Sequence, residues 1–266
     1  MLVITFNVNG IRARIHQLSA LIQKYSPDVI CLQEIKVSDE DFPYSTIEEL
    51  GFKVFNYGQK GFHGVAILCK EEPLNVVKGL DGGIDEEQKR FIRCDFNSKI
   101  GTISICNSYF PQGENRKHEL KFPYKERYYK RITEYLKKIN NNYIVTGDFN
   151  IAPLAADRAI GLEAEKRWLR EGHTAFLPEE IELFSNLTAI GLEDIWRINN
   201  PNENISTWFD YRSRGFERDP KRGLRIDFFL TDLSLRDYYI DSKIDHEIRA
   251  MEKPSDHCPV TLKLDI

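Results

Sequence analysis

A succession of short strand-type runs, interrupted by only a few helical periodicities, restricts this chain more than any other feature. Residues 2–7 read as a strand, Ile11, Ile15, Leu18 and Ile22 then recur at helical spacing, and Pro27-Asp28 ends that helix before the apolar run 29–32. Strand candidates follow at 52–57, 65–69, 74–77, 90–96 and 102–110, many separated by Gly or Pro turns. A long helix carries Tyr128, Ile132, Tyr135 and Ile139 on one stripe, and Asn140-Asn141-Asn142 closes it before a strand at 143–149. Pro178 opens a further helix with Ile181, Phe184 and Leu187 on one side, and late strands are expected at 225–230, 238–244 and 260–264. Many strands with few long helices predict an α/β fold of two sheets packed face to face with helices outside, in an order the residues do not give. The 266 residues contain no repeat, low-complexity tract or linker, so one domain over 1–266 is expected.

Composition narrows the classes of function. The chain is 41% hydrophobic and 29% charged, as in globular proteins, and its longest apolar runs fall far short of the roughly 20 residues a bilayer crossing needs. No membrane role is expected. Met1-Leu2-Val3-Ile4 enters the first strand without the pattern of a secretory signal, which makes the cytoplasm the expected compartment. Five cysteines without a Cys-x-x-Cys pair fit reduced, buried thiols better than disulfides or zinc. Since 37 basic residues face 41 acidic ones, for a net charge of −4, any polyanion partner must be held by local charge. Two tracts supply it, 116–131 and 212–225, and the second interleaves Arg212, Arg214, Arg218 and Arg225 with aromatic residues that begin at Trp208 and Phe209. Such a tract suits nucleic acid, because phosphates take the cations and unstacked bases take aromatic faces; equally, Trp208 and Phe209 fit a core beneath a charged loop.

The chemistry-bearing residues gather at strand ends. Asn7 ends the first strand, Glu34 follows Cys31-Leu32, Asp148 and Asn150 end the strand after Tyr143, and Asp256-His257 precede the last strand. A carboxylate directly after a buried run must be solvated, paired or metal-bound. Asp148 and Asn150 are two residues apart, so in an extended chain both face one side, and an acid beside an amide suits hydrolysis of a phosphoester. His257 adjoins Asp256, and a more distant acid such as Asp227 would keep it protonated and oriented. His16, His63, His118, His173 and His246 read as surface or packing residues. No Gly-x-Ser-x-Gly, His-Glu-x-x-His, Gly-x-x-x-x-Gly-Lys or Gly-x-Gly-x-x-Gly motif is present, so serine hydrolase, zinc protease and nucleotide-binding readings lose support. The remaining oxygen-rich set suits a hard cation, Mg2+ or Mn2+.

Seven segments in order, Phe6-Asn7-Val8-Asn9-Gly10-Ile11-Arg12, Leu32-Gln33-Glu34-Ile35-Lys36, Tyr109-Phe110-Pro111-Gln112-Gly113, Gly147-Asp148-Phe149-Asn150, Trp208-Phe209-Asp210-Tyr211-Arg212, Arg225-Ile226-Asp227 and Ser255-Asp256-His257, resemble the exonuclease III family of apurinic/apyrimidinic endonucleases. The resemblance covers nearly the whole chain. It implies a four-layered α/β sandwich of the deoxyribonuclease-I-like kind and a metal-dependent DNA repair nuclease. Such an enzyme cuts duplex DNA 5′ to abasic sites, trims 3′ ends as an exonuclease and removes blocking 3′ groups. It also implies roles. Glu34 with Asn7 would hold Mg2+, with Asp256 supporting the metal shell, and if a second ion acts, Asp148, Asn150 and His257 would serve it. Asp148 would orient or deprotonate water, Asn150 would position the phosphate, His257 paired with Asp227 would bind a phosphoryl oxygen, and Tyr109 would lie against the scissile phosphate. Arg90, Gln112, Lys121 and Trp208 match positions that hold DNA, and Arg212 lies in the basic tract. Cys258, a departure from relatives, is expected to make the site sensitive to oxidation. A monomer is expected. Two rivals are weaker. Inositol phosphatases of the superfamily follow Gly-Asp-x-Asn with Tyr-Arg where this chain has Ile151-Ala152, and a silent scaffold predicts loss of a polar site member, none of which is lost.

Overall fold

A computed structural model describes residues 1–80 and 88–266. In chain order its strands are β1 (Leu2–Asn7), β2 (Val29–Gln33), β3 (Lys53–Tyr57), β4 (Val65–Cys69), β5 (Asn75–Lys78), β6 (Phe91–Ser98), β7 (Gly101–Tyr109), β8 (Asn142–Asp148), β9 (Leu192–Asp194), β10 (Asp227–Asp232), β11 (Tyr239–Ile244) and β12 (Val260–Leu264). The helices are α1 (Ile15–Tyr25), α2 (Tyr44–Glu49), α3 (Lys121–Leu136), α4 (Leu162–Glu171), α5 (Pro178–Thr188), α6 (Ile195–Asn199) and α7 (His246–Arg249).

Two six-stranded mixed sheets result, ordered β11-β12-β1-β2-β4-β3 and β5-β6-β7-β8-β10-β9. Each has one central parallel pair joined through a helical crossover, β1 with β2 and β7 with β8, as parallel strands require. The strand alternation explains the layers. Val3, Cys31, Ile67, Ile105, Ile144 and Phe229 meet in the core between the sheets. Ile4, Phe6, Ile30 and Leu32 point the other way and are covered by Leu18 and Leu21 of α1, while Phe110, Phe149 and Phe228 are covered by Tyr129 and Ile132 of α3 and Phe184 of α5. This is the four-layered sandwich expected, helices outside two sheets. α1 stops where Ser26 turns left-handed (φ 47°) ahead of Pro27, which cannot continue a helix.

The differences from the expected elements have local causes. The long helix ends at Leu136 rather than reaching Ile139, which packs half-buried in the following turn. β10 begins at Asp227, not at 225, because Leu224 pairs with Trp208 in an isolated bridge and Arg225 is bound to Asp157. α4 carries no buried residue, so its amphipathic surface pattern left no core signal to read.

The strand ends that converge on one edge depend on Gly147. Its φ is 135°, and a Cβ there would lie 1.9 Å from the Ser108 carbonyl oxygen of the parallel neighbour. Gly147→Ala is expected to separate β7 from β8 at Ser108 and Gly147 and to lower the melting temperature by several degrees, equivalent to about 2–4 kcal/mol. A thermal melt matching the unaltered chain would show that the strands part without cost. Beneath the same edge, Asn107 links the sheets: its Nδ2 donates to the Leu32 and Ala66 carbonyls at 2.9 and 2.8 Å, and its Oδ1 accepts from Gln33 Nε2 at 2.7 Å. Gln33 and Asn107 are fully buried, so the polar floor expected at Gln33-Glu34 lies inside the sandwich.

Candidate active site

Glu34 is the first residue after β2 and turns left-handed (φ 50°), as does Asn150 after β8 (φ 53°). A side chain in this region costs on the order of 1 kcal/mol or more, and such strain collects where geometry serves function. Asn7 is the bridge between the two carboxylates. Its Nδ2 donates to Glu34 Oε1 at 2.9 Å and to Asp148 Oδ2 at 3.0 Å, while its Oδ1 accepts the Asn9 backbone N–H. The Asn9 contact fixes which end of the amide is which. Asn7 therefore braces the two acids as a donor, between Glu34, with which it is expected to hold the cation, and Asp148.

Asp148 is buried, and its Oδ1 accepts the Asn150 backbone N–H at 2.9 Å. The Asn150 amide donates to Asp148 Oδ2 and to the Phe110 carbonyl. His257 comes from the approach to β12, with Nδ1 2.9 Å from Asp227 Oδ2 and Nε2 3.7 Å from Asp148 Oδ2. Burial disfavours the imidazolium, but the Asp227 and Asp148 carboxylates outweigh it and push the His257 pKa up. Burial likewise pushes Asp148 up; His257 opposes it, and the Asp227 and Glu34 charges add to it. The pair thus shares positive and negative charge in a dry place. Burial works against the Glu34 carboxylate too, yet Lys36, whose Nζ lies 2.8 Å from Oε2, and the Asn7 amide hold its pKa down. Tyr109 is buried and pushed well above the usual phenol range by burial and by Glu34, so it presents an O–H.

Glu34, Asp148 and His257 each offer a donor atom within 4.8 Å of the others. The Glu34 and Asp148 carboxylates in that space suit a hard divalent cation, with the charged His257 beside them as a hydrogen-bond donor, and Lys36 already supplies Glu34 with a positive partner. Asp256 stands outside this cluster, its two oxygens taken by Asn9 Nδ2 at 2.9 Å and Trp208 Nε1 at 3.0 Å. It steadies the rim of the site.

A cavity of about 450 Å³ opens beside Tyr109, lined by Arg90, Gln112, Lys121, Tyr124 and Arg127 among others. Arg90 is 6% exposed; its Nη1 donates to the Tyr109 carbonyl at 3.0 Å and its guanidinium lies 4.6 Å from the Tyr109 ring centre. Lys121 is exposed and paired with Glu114. Arg212 is exposed, four residues after Trp208 in the chain.

The sequence model of the Endonuclease/Exonuclease/phosphatase family matches residues 4–257, a span that takes in every residue of this site. The chain belongs to that family. Among this family's relatives, exodeoxyribonuclease III of Haemophilus influenzae is 51% identical over 261 residues, 97% of each chain. The 3′ phosphatase NExo from Neisseria, solved bound to a product DNA hairpin, is similar with TM-score 0.91 and 33% identity, covering 100% of both chains. An AP endonuclease from Archaeoglobus fulgidus gives TM-score 0.91 and 32% identity, again over 100% of both.

In this family member the structure brings together Asn7, Glu34, Tyr109, Asp148, Asn150, Asp227 and His257, which are far apart in the chain. Several expectations change. Arg225, counted in the basic tract, is 1% exposed and bound to Asp157 and Asp194, so it cannot meet a polyanion. Lys125 of the other tract is also fully buried. Phe209 and Phe216 are core, whereas Trp208 is half-exposed and tied to the site through Asp256. Cys258 is fully buried and burial pushes its thiol well up, so it is not an oxidation-prone thiolate. Sequence reasoning assigned no role to Lys36 and Asn9 and placed His63 among packing residues. His63 in fact stands at the rim with its ring 5.9 Å from Tyr109, pushed down to about 4 by burial and Arg90, and hence neutral. Asn9 and Lys36 could have been noticed from their place two residues after Asn7 and Glu34, whereas His63 carries no such local signal.

Proposed function

We propose that this chain is a DNA repair nuclease that hydrolyses the phosphodiester 5′ to an abasic site in duplex DNA, with 3′-to-5′ exonuclease and 3′-phosphatase action at the same centre. The carrying observation is the convergence of Glu34, Asp148 and His257 within 4.8 Å beside a cavity rich in basic and aromatic side chains. The names of these similar proteins, which speak of exodeoxyribonuclease, AP endonuclease and 3′ phosphatase, support the same reading.

The residues divide the work. The Asp148 carboxylate, held by Asn7 and Asn150, is placed to orient water and receive its proton. His257, kept charged by Asp227, donates from Nε2 to a phosphoryl oxygen as negative charge builds there. The Tyr109 O–H and the Asn150 amide fix the phosphate, and Arg90 holds Tyr109 in place. Glu34 and Asp148 would hold Mg2+ or Mn2+, which when bound supplies charge neutralisation at the phosphate and acidifies water. Gln112, Lys121, Trp208 and Arg212 would track the duplex on either side. Every site residue comes from one chain, so a monomer suffices. Free, buried cysteines fit a reducing compartment, and we place the enzyme in the cytoplasm with its DNA. Among the described residues no helix is long and apolar enough to cross a membrane.

The deciding assay offers a duplex with one abasic analogue in Mg2+ buffer, beside a water-soluble inositol polyphosphate. Incision of the duplex is expected, abolished by chelator and lowered by at least about 100-fold in Glu34→Gln. Phosphate release from the inositol substrate alone would overturn the reading. Lys121→Gln and Arg212→Gln are each expected to weaken binding and to reduce the slope of log affinity against log salt by about 1, as one phosphate contact is lost. An unchanged slope would mean that the residue faces away from DNA.

A further inference from the structure

Lys125 and Glu180 form an ion pair with no exposed side-chain surface, directly behind the site. The ammonium of Lys125, on α3, uses its donors on three partners: Glu180 Oε1 at 2.5 Å, the Asn150 carbonyl at 2.8 Å and the Gln112 carbonyl at 3.3 Å. Those carbonyls belong to the two turns that follow β8 and β7. Both turns contain a left-handed residue that is not glycine, Asn150 at φ 53° and Glu114 at φ 64°, and a Cβ on Gly113 would come within 3.1 Å of the Lys125 stem. Glu180, at the start of α5, accepts the Ala175 and Leu177 backbone N–H groups with its other oxygen, each at 2.8 Å. Ala175 in turn accepts the Ala152 N–H at 2.6 Å, which closes a loop of contacts around residues 150–152.

Stability alone does not account for such a pair. Two buried charges lose hydration on the order of their mutual attraction, and an apolar pair of equal volume is often as stable. An apolar pair would leave the Asn150 and Gln112 carbonyls without this donor and the two strained turns without a common anchor.

We propose that the Lys125–Glu180 pair is a positioning device: it fastens the Asn150 turn to the Gln112 turn, so that the phosphate-facing amide and the DNA-facing rim keep one fixed relation. The device rests on the nuclease reading for its purpose. Lys125 touches no substrate and acts through Asn150.

The test is a double-mutant cycle in the full chain, reading single-turnover incision of the abasic duplex. Lys125→Met with Glu180→Gln removes both charges and leaves none orphaned. Its rate is expected to fall about tenfold or more when Asn150 is present, and by no more than about twofold further in an Asn150→Ala background. Equal losses in both backgrounds, or no loss in a folded pair variant, overturn the proposal. If the pair variant does not fold, Glu180→Asp, which keeps both charges but shortens the anchor, is read through the same cycle. Hydrogen exchange of peptides spanning 110–114 and 149–152 gives a readout free of activity: faster exchange in the variant is expected, and unchanged exchange sinks the device. A chain that cuts no DNA in its unaltered form would instead defeat the functional reading, with the exchange measurement still deciding the lock.

Discussion

Asp148→Asn should lower the incision rate by about 1,000-fold while the chain still folds. The amide oxygen can still accept the Asn150 N–H that Oδ1 now takes. The new amide nitrogen, however, replaces Oδ2, which accepts from Asn7 and Asn150 and faces His257 at 3.7 Å. Donors then confront donors, and the negative charge available to water is gone. Stability moves less, because neutralising Asp148 relieves its burial but forfeits the attraction of His257, with the Asp227 and Glu34 repulsion removed as well. Single-turnover kinetics and a thermal melt on one preparation check both halves. Retention of more than about a tenth of the activity would take Asp148 out of the chemistry.

The second large effect lies outside the site. Asp157→Ala is expected to destabilise the protein by about 3–5 kcal/mol, a drop in melting temperature on the order of 10 °C for a chain of this size. Asp157 Oδ1 accepts from Arg225 Nε at 2.7 Å and from Arg197 Nη2 at 2.6 Å, and Oδ2 accepts the Leu154 N–H at 3.0 Å. Arg225 is pressed between the Trp196 and Phe228 rings, 4.9 and 4.3 Å from their centres, with Asp194 as its other acid. Alanine leaves two guanidinium groups short of an acceptor where water does not reach. Asp157→Asn keeps an acceptor without the charge and should fall between. Because Arg225 stands two residues before Asp227, the partner of His257, incision should decline in the same order. A melting point within about 2 °C of the unaltered chain would mean that the network relaxes onto Asp194 alone.

Much of the site was legible beforehand for a physical reason. Strand ends are local properties, so the polar residues closing β1, β2 and β8 reveal themselves without a partner, whereas Asp148 and Asn150 meet because Asn150 turns left-handed beyond the end of β8 and not through the alternation of an extended chain. Those same positions became one site because each sheet has a parallel pair whose strands end at the same edge. Charge was the poorer guide. Lys125 and Arg225 look in sequence like members of solvated or DNA-binding tracts, and each is buried against an acid at least 31 residues away, Glu180 and Asp194 respectively. Nothing local distinguishes a lysine that faces water from one whose partner arrives from another helix.

The residues by themselves pointed to two packed sheets and to oxygen-rich chemistry at the strand ends, since hydrophobic period and residue type act over a few positions, while the pairing of His257 with Asp227 came from the family resemblance. Tertiary structure alone decided which cations meet solvent, which end of the Asn7 amide faces the carboxylates, and that His63 borders the site. Those outcomes depend on non-local register, because burial, hydrogen-bond direction and local field are set by neighbours that the chain brings in only when it folds.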